Sequence, residues 1–293
     1  MAIHRSGFVN IIGNPNTGKS TLMNELIGER LSIISSKAQT TRHRIHGILN
    51  GDDYQIVFSD TPGILKPHYK LQEKMLSFVD ESLIDADVFL YMVEIGEKAF
   101  ENDYIIKIKN LNRPTLLLLN KIDLSANDEV AVKVSEWEKI LPKAEIIPLS
   151  ALHKANTAYV KERIIANLPE GPAYYDKDQL TDKPEKFFVS EIIREKILMY
   201  YDKEIPYSTE VVVEEFKEDE NIIRIRAIIY CTRESQKGIL IGHNGVAIKK
   251  TGTQARKELE AFFQKKIFIE LIVKVDKDWR DNDTKLKRYG YSM

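Results

Sequence analysis

Gly13-Asn14-Pro15-Asn16-Thr17-Gly18-Lys19-Ser20 decides the architecture of the first half of this chain. An apolar run at 8–12 precedes it and a helical pattern opens at Lys19. That context is the strand, G-x-x-x-x-G-K-[ST] loop and helix of a phosphate-binding loop. Glycines let backbone N–H groups close on phosphate oxygens, and the helix N-terminus adds partial positive charge. Lys19 is expected to reach the β- and γ-phosphates. The Ser20 hydroxyl is expected to take one Mg²⁺ position, with Thr21 next in the same helical turn.

Outward from this loop, strand-like and helix-like stretches alternate. Residues 45–49 and 55–59 flank the turn signal Asn50-Gly51-Asp52-Asp53. Further apolar runs at 88–93, 115–119 and 145–149 are separated by helix-length segments. This alternation predicts an α/β P-loop domain over residues 1–168. Its mostly parallel sheet would be covered by helices on both faces, with ligands at the carboxyl ends of the strands.

The motifs at those ends select the nucleotide. Asn120-Lys121-Ile122-Asp123 follows the run at 115–119. The Asp123 carboxylate would accept from the guanine N1–H and amino group. Adenine lacks that donor pair, and a carboxylate left unpaired rejects such an analogue by about 10⁴. Asn120 and Lys121 are expected to tie the base loop to the phosphate loop. In Ser150-Ala151-Leu152, the Ala151 N–H is expected to face the guanine carbonyl. In Asp60-Thr61-Pro62-Gly63, Asp60 would hold Mg²⁺ through water and the Gly63 N–H would sense the γ-phosphate. Within Gln39-Thr40-Thr41-Arg42, Thr41 rather than Thr40 is the expected Mg²⁺ ligand. The predicted metal set is therefore Ser20, Thr41 and Asp60, and the catalytic set Lys19, Thr41 and Gly63. Ile64 stands where Ras-like switches carry a water-orienting Gln, which predicts slow unassisted hydrolysis. Asn16 is a candidate K⁺ ligand beside the phosphates.

The pattern changes after Pro169-Glu170-Gly171-Pro172, and the polar stretch 169–184 is read as a linker. Residues 185–293 give helix, strand, strand, helix, helix, strand, which predicts a smaller α+β domain of the type II KH kind. Gly242-His243-Asn244-Gly245 joins its two adjacent helices. A G-x-x-G turn lets a sugar–phosphate backbone approach, and the KH arrangement clamps about four nucleotides of a single strand. The candidate RNA set is that turn with Gly238, Ile241, Lys249, Lys250, Arg256 and Lys257. Net charge is −1, yet residues 234–293 hold 13 Lys/Arg against 8 Asp/Glu. That local excess suggests nucleic acid or an anionic membrane surface. Cys231 is the only cysteine, so no disulfide framework exists; it reads as a small core residue in a cytoplasmic protein. Residues 1–6 carry no secretory pattern, and no apolar run approaches the roughly 20 residues of a membrane span.

Taken together, the chain resembles the Era family of bacterial ribosome-assembly GTPases along nearly its whole length. The marks are the motifs at 13–20, 60–63, 120–123, 150–152 and 238–249. Lys37-Ala38-Gln39-Thr40-Thr41-Arg42-His43 and the tail Val273-Lys274-Val275-Asp276-Lys277-Asp278-Trp279-Arg280 complete them. The resemblance implies that the KH domain binds the 3′ end of 16S ribosomal RNA when GTP is held. It also implies a role in maturing the 30S subunit and peripheral association with the inner membrane. The alternative is a GTPase acting on another RNA or membrane partner, with a KH-like domain not specific for ribosomal RNA. Either way GTP would order the Thr40/Thr41 loop and the segment after Gly63, and hydrolysis would release them.

Overall fold

Strand β1 (Arg5–Gly13) leads into the phosphate loop and runs through the middle of a six-stranded sheet. The computed structural model describes residues 4–291. The sheet order is β2 (Ile45–Asn50), β3 (Tyr54–Asp60), β1, β4 (Val88–Glu94), β5 (Thr115–Asn120), β6 (Glu145–Pro148). Only β2 runs antiparallel to its neighbour, across the predicted turn, where Gly51 N donates to Tyr54 O at 2.9 Å. Every residue of β4 from Val88 to Val93 is buried, as a parallel strand covered on both faces requires. The covering helices are α1 (Lys19–Ile27), α2 (Lys70–Asp85), α3 (Asp103–Leu111), α4 (Asn127–Ile140) and α5 (Thr157–Asn167). Parallel pairing brings Gly13, Asp60, Glu94, Asn120 and Pro148, the strand ends, to one edge of the sheet.

The chain divides into two compact units, and the division departs from the expected linker. One unit takes the chain up to Ile34, Thr41–Lys66 and Met75–Asp182; the other takes Ser35–Thr40, Pro67–Lys74 and the chain from Lys183. Most of the stretch 169–184 is therefore an arm bound to the first unit. Ser6 N donates to Pro169 O (3.1 Å) and Ile48 N to Leu180 O (2.8 Å). His46 N donates to Asp182 Oδ1 (3.1 Å), and the Thr181 hydroxyl to His46 O (2.7 Å). The physical reason is the free edge of β2, whose backbone groups need partners. The buried Gln55 fixes the arm further: its amide oxygen accepts from Tyr174 N (2.7 Å) and Tyr175 N (3.0 Å), and its nitrogen donates to Tyr175 O (2.8 Å).

In the second unit α6 (Glu185–Tyr200) is followed by β7 (Glu210–Glu218), β8 (Ile222–Cys231), α7 (Glu234–Ile241), α8 (Val246–Phe263) and β9 (Lys266–Val275). Strand β8 is central, antiparallel to β7 and parallel to β9. Its Ile223, Ile225, Ala227 and Ile229 alternate into the core while Arg224 and Arg226 face out. Val189, Ile193 and Ile197, four apart on α6, meet them. Cys231 lies in this core and burial raises its thiol pKa. The tail adds structure the sequence pattern did not announce: Trp279 is fully buried, its ring N–H donating to Ser208 O at 3.2 Å, and α9 (Asp283–Arg288) follows. No helix among the described residues is long and apolar enough to cross a membrane.

Candidate nucleotide and RNA sites

The phosphate loop closes because Gly18 adopts φ +100°, where a side chain is strained, and a Cβ there would lie 2.3 Å from Asn120 Nδ2. Lys19 bends back over the loop, its ammonium donating to Gly13 O (3.1 Å) and Asn14 O (2.7 Å). Burial lowers its pKa to about 8, against the pull of Asp60 and Glu97. The side chains of the intervening positions brace the loop. Thr17 donates to Asn14 O (3.0 Å) and Asn14 to Glu97 Oε1 (2.5 Å). These side chains are thus engaged within the loop itself.

At the end of β3 the Ser20 hydroxyl donates to Asp60 Oδ2 at 2.7 Å. The Thr41 hydroxyl lies 3.0 Å from Ser20 Oγ and 3.4 Å from the same carboxylate oxygen. Thr40 turns away, its hydroxyl donating to Lys37 O (2.5 Å). Asp60 is fully buried; burial raises its pKa, opposed by the Ser20 hydroxyl and the Lys19 charge. Its Oδ1 has no hydrogen-bond partner among the described residues. An orphaned buried carboxylate oxygen beside two hydroxyls is a hard-oxygen donor set that fits Mg²⁺. Gly63 passes so close to the loop that a Cβ would lie 2.6 Å from Pro15 Cα. The Thr61 hydroxyl donates to Ile11 O (2.7 Å) and so braces the strand end. Pro62 lies between them. Ile64 donates its N–H to Gly13 O (3.1 Å) and packs its side chain into the apolar core, so it has no means to orient water.

The base side is joined to the phosphate side by one amide. Asn120 Nδ2 donates to Thr17 O (2.7 Å), and its Oδ1 accepts from Ala151 N (2.9 Å). The Ala151 N–H thus orients Asn120 in this structure. Asp123 faces solvent, and the Ser150 hydroxyl holds its carboxyl below the usual range. Leu152 beside it is exposed. Lys121 takes φ +64° and pairs with Glu94. Sequence reading missed Glu94, Glu97 and His153, whose Nε2 lies 3.7 Å from Asp123 Oδ2. The two glutamates stand at and just past the carboxyl end of β4, a position that marks ligand-side residues in an open α/β sheet.

In the second unit the Gly242–Gly245 turn joins α7 to α8, with Asn244 at φ +50° and Gly245 at φ +75°. A groove runs between α8 and β9 in the same unit. Lys249 and Arg256 line it together with Ile248, Gly252, Thr253 and Phe268. Positions 249, 252, 253 and 256 share one helix face, the signal that could have found Gly252 and Thr253. Lys250 lies over the Tyr200 ring (4.4 Å) instead, and Lys257 is exposed. Gly238 and Ile241 belong to α7, and a Cβ at Gly238 would meet open space.

Comparison with known proteins finds both domains. Residues 8–121 match the family described as 50S ribosome-binding GTPase, and residues 204–280 match the KH domain. The chain is 45% identical over 294 residues to the GTPase Era of Thermoanaerobacter sp. strain X514, covering 99% of this chain and 97% of the relative. The GTPase Era of Thermoanaerobacter pseudethanolicus gives the same values. A crystal structure of Era in complex with MgGDPNP and nucleotides 1506–1542 of 16S ribosomal RNA superposes with a TM-score of 0.94 at 38% identity, covering 99% of this chain and all of that one. A variant of Aquifex aeolicus Era bound to GDP and aluminium fluoride gives 0.94 at 39%, with the same coverage.

Proposed function

The chain belongs to the Era family of GTPases and hydrolyses GTP, and on that footing we propose that it is a GTP-gated clamp for the 3′ end of small-subunit ribosomal RNA that assists maturation of the 30S subunit. The carrying observation is the groove between α8 and β9, lined by Lys249 and Arg256, on the helix that the Gly242–Gly245 turn leads into. Its two basic side chains and apolar floor suit a single strand whose phosphates meet Lys249 and Arg256 and whose bases face Ile248 and Phe268. The relative solved with nucleotides 1506–1542 supports this choice of RNA.

In the nucleotide unit, Ser20, Thr41 and Asp60 would hold Mg²⁺, which when bound neutralises charge on the β- and γ-phosphates. Lys19 would leave the loop carbonyls for the phosphates. The Gly63 N–H would donate to the γ-phosphate, and Asp123 would read the guanine edge. With Ile64 unable to orient water, turnover is slow unless a partner or a K⁺ ion beside Asn16 assists. An unchanged rate when Na⁺ replaces K⁺ would remove that ion from the mechanism. The basic excess of residues 234–293 supports peripheral contact with an anionic inner membrane, for which co-sedimentation with anionic vesicles is the check.

The decisive experiment measures binding of single strands copying the RNA 3′ end, with GTP analogue, GDP or no nucleotide. Tighter binding with the analogue, abolished by Lys249→Glu with Arg256→Glu, supports the clamp. Gly242 is a poor probe, since at φ +72° its Cβ would lie 2.7 Å from that of Ala247. Affinity equal in all three states would refute gating.

A further inference from the structure

Just past the end of β4 the chain turns back on itself, Glu97 N donating to Glu94 O at 2.9 Å. At its start this turn is tied to the base-reading loop: Ile95 N donates to Asn120 O (2.9 Å), and Glu94 pairs with Lys121. At its other end Glu97 Oε1 accepts from Asn14 Nδ2 at 2.5 Å. Residues 94–97 therefore form a strut from the base side of the nucleotide site to the phosphate loop, all within the first unit. Because the acceptor at Glu97 is a carboxylate, its bond to Asn14 is charge-assisted and stronger than the neutral amide bonds of Asn120.

Asn14 stands at the entrance of the loop. Pro15 after it has no N–H and restricts Asn14 to extended backbone. The Asn14 carbonyl accepts from Lys19 Nζ (2.7 Å) and from the Thr17 hydroxyl (3.0 Å), while its amide leaves the loop for Glu97. Of these bonds, the one from Lys19 is the one that arriving phosphates compete for. The bond to Glu97 lies on the other end of the residue and can persist. Pro15 in turn is pressed against Gly63, where a Cβ would lie 2.6 Å from Pro15 Cα. A drift of Asn14 and Pro15 would therefore be felt at the segment expected to meet the γ-phosphate.

We propose that Glu97 is a positioning residue for nucleotide binding: through the Asn14 amide it keeps the entrance of the phosphate loop in shape when Lys19 gives up the Asn14 carbonyl for the phosphates. The proposal rests on the reading of residues 13–20 as the loop that holds those phosphates. Glu97 acts without touching the nucleotide, and Asn14 serves through its side chain as the anchor. The same short turn carries Glu94 against Lys121, so one strut sets groups at both ends of the nucleotide.

The test uses the full chain with Glu97→Ala, Glu97→Gln, Asn14→Ala, Asn14→Asp and the exchanged pair Asn14→Asp with Glu97→Gln. Asn14 and Glu97 are both partly exposed, so the variants are expected to fold, which urea unfolding of the nucleotide-free protein checks. The readouts are the rate of GDP release and the phosphorus NMR resonance of the bound β-phosphate. Glu97→Ala should speed GDP release about 10-fold, the scale of one hydrogen bond to a charged group, and should move the β-phosphate resonance. Glu97→Gln keeps an acceptor and should restore most of both. Asn14→Asp alone sets two carboxylates against each other and should release GDP faster than Asn14→Ala. Adding Glu97→Gln to it reverses donor and acceptor and should rescue. Asn14→Ala on top of Glu97→Ala should add nothing, since both act through one bond. Release and resonance unmoved in Glu97→Ala, or full additivity of the two alanine changes, overturns the proposal. So does faster release with an unmoved resonance, which would leave Glu97 a brace with no hold on the phosphates. If Lys19→Met leaves GDP affinity unchanged, the reading of the loop fails and the proposal with it, which the Glu97 variants alone would not reveal.

Discussion

Lys19 carries a charge at odds with its buried surroundings. Its pKa in the folded, nucleotide-free protein is about 8, below the ordinary 10.5, because burial disfavours the ammonium. Between those values the unfolded chain binds more protons than the folded one, so stability rises with pH across that window. The contribution is complete above 10.5 and is lost as pH falls through about 8. Its size is at most about 3 kcal/mol, and comparing denaturant unfolding of the native chain with Lys19→Met from pH 7.5 to 10.5 isolates it. Bound phosphates would supply the missing counter-charge, so saturating GDP should flatten the pH dependence. Asp123 gives the second prediction at this scale. Asp123→Asn replaces an acceptor pair with one acceptor and one donor. GTP affinity should then fall by roughly 10³ while xanthosine triphosphate, which presents a carbonyl where guanine has its amino group, should gain; nucleotide titration reads both.

Elements differ in how far their meaning could be read from local sequence. The ends of β1, β3 and β5 were legible because each motif stands in a fixed strand-to-loop context, so residue order alone put Lys19, Asp60 and Asn120 on one edge. The helix, strand, strand, helix, helix, strand order of the second unit was legible for the same reason, through Ile223 to Ile229 alternating on β8. The arm over 169–182 was not. Its composition says loop, and its partners Gln55 and β2 lie well over a hundred residues away. The use of the Ala151 N–H on Asn120 was hidden for the same non-local reason. The arm makes its own prediction. Gln55→Leu strands the backbone groups of Tyr174 and Tyr175 that the amide now satisfies. It should destabilise the protein by about 2–4 kcal/mol, read by urea unfolding, and speed tryptic cleavage at Lys177.

At the scale of the whole molecule, charge and chain path are both unevenly shared. The basic excess lies in residues 234–293 while the nucleotide unit is acidic, so a polyanion is drawn to one half only. The chain path is more unusual. The second unit borrows Ser35–Thr40 and Pro67–Lys74 from within the first half of the sequence, and the latter segment includes the opening turn of α2. Lys70 there meets Asp283 of α9 at 2.5 Å. The arm also decides where this protein could be cut. A fragment ending at residue 168 would bare the edge of β2 and empty the seat of Tyr174 and Tyr175, inviting copies to pair strand to strand. One ending at residue 182 keeps its own edge strip and should remain monomeric by sedimentation velocity where the shorter one self-associates. In that sense the arm is a built-in guard against aggregation, and it leaves the ribosome before residues 183–293 do.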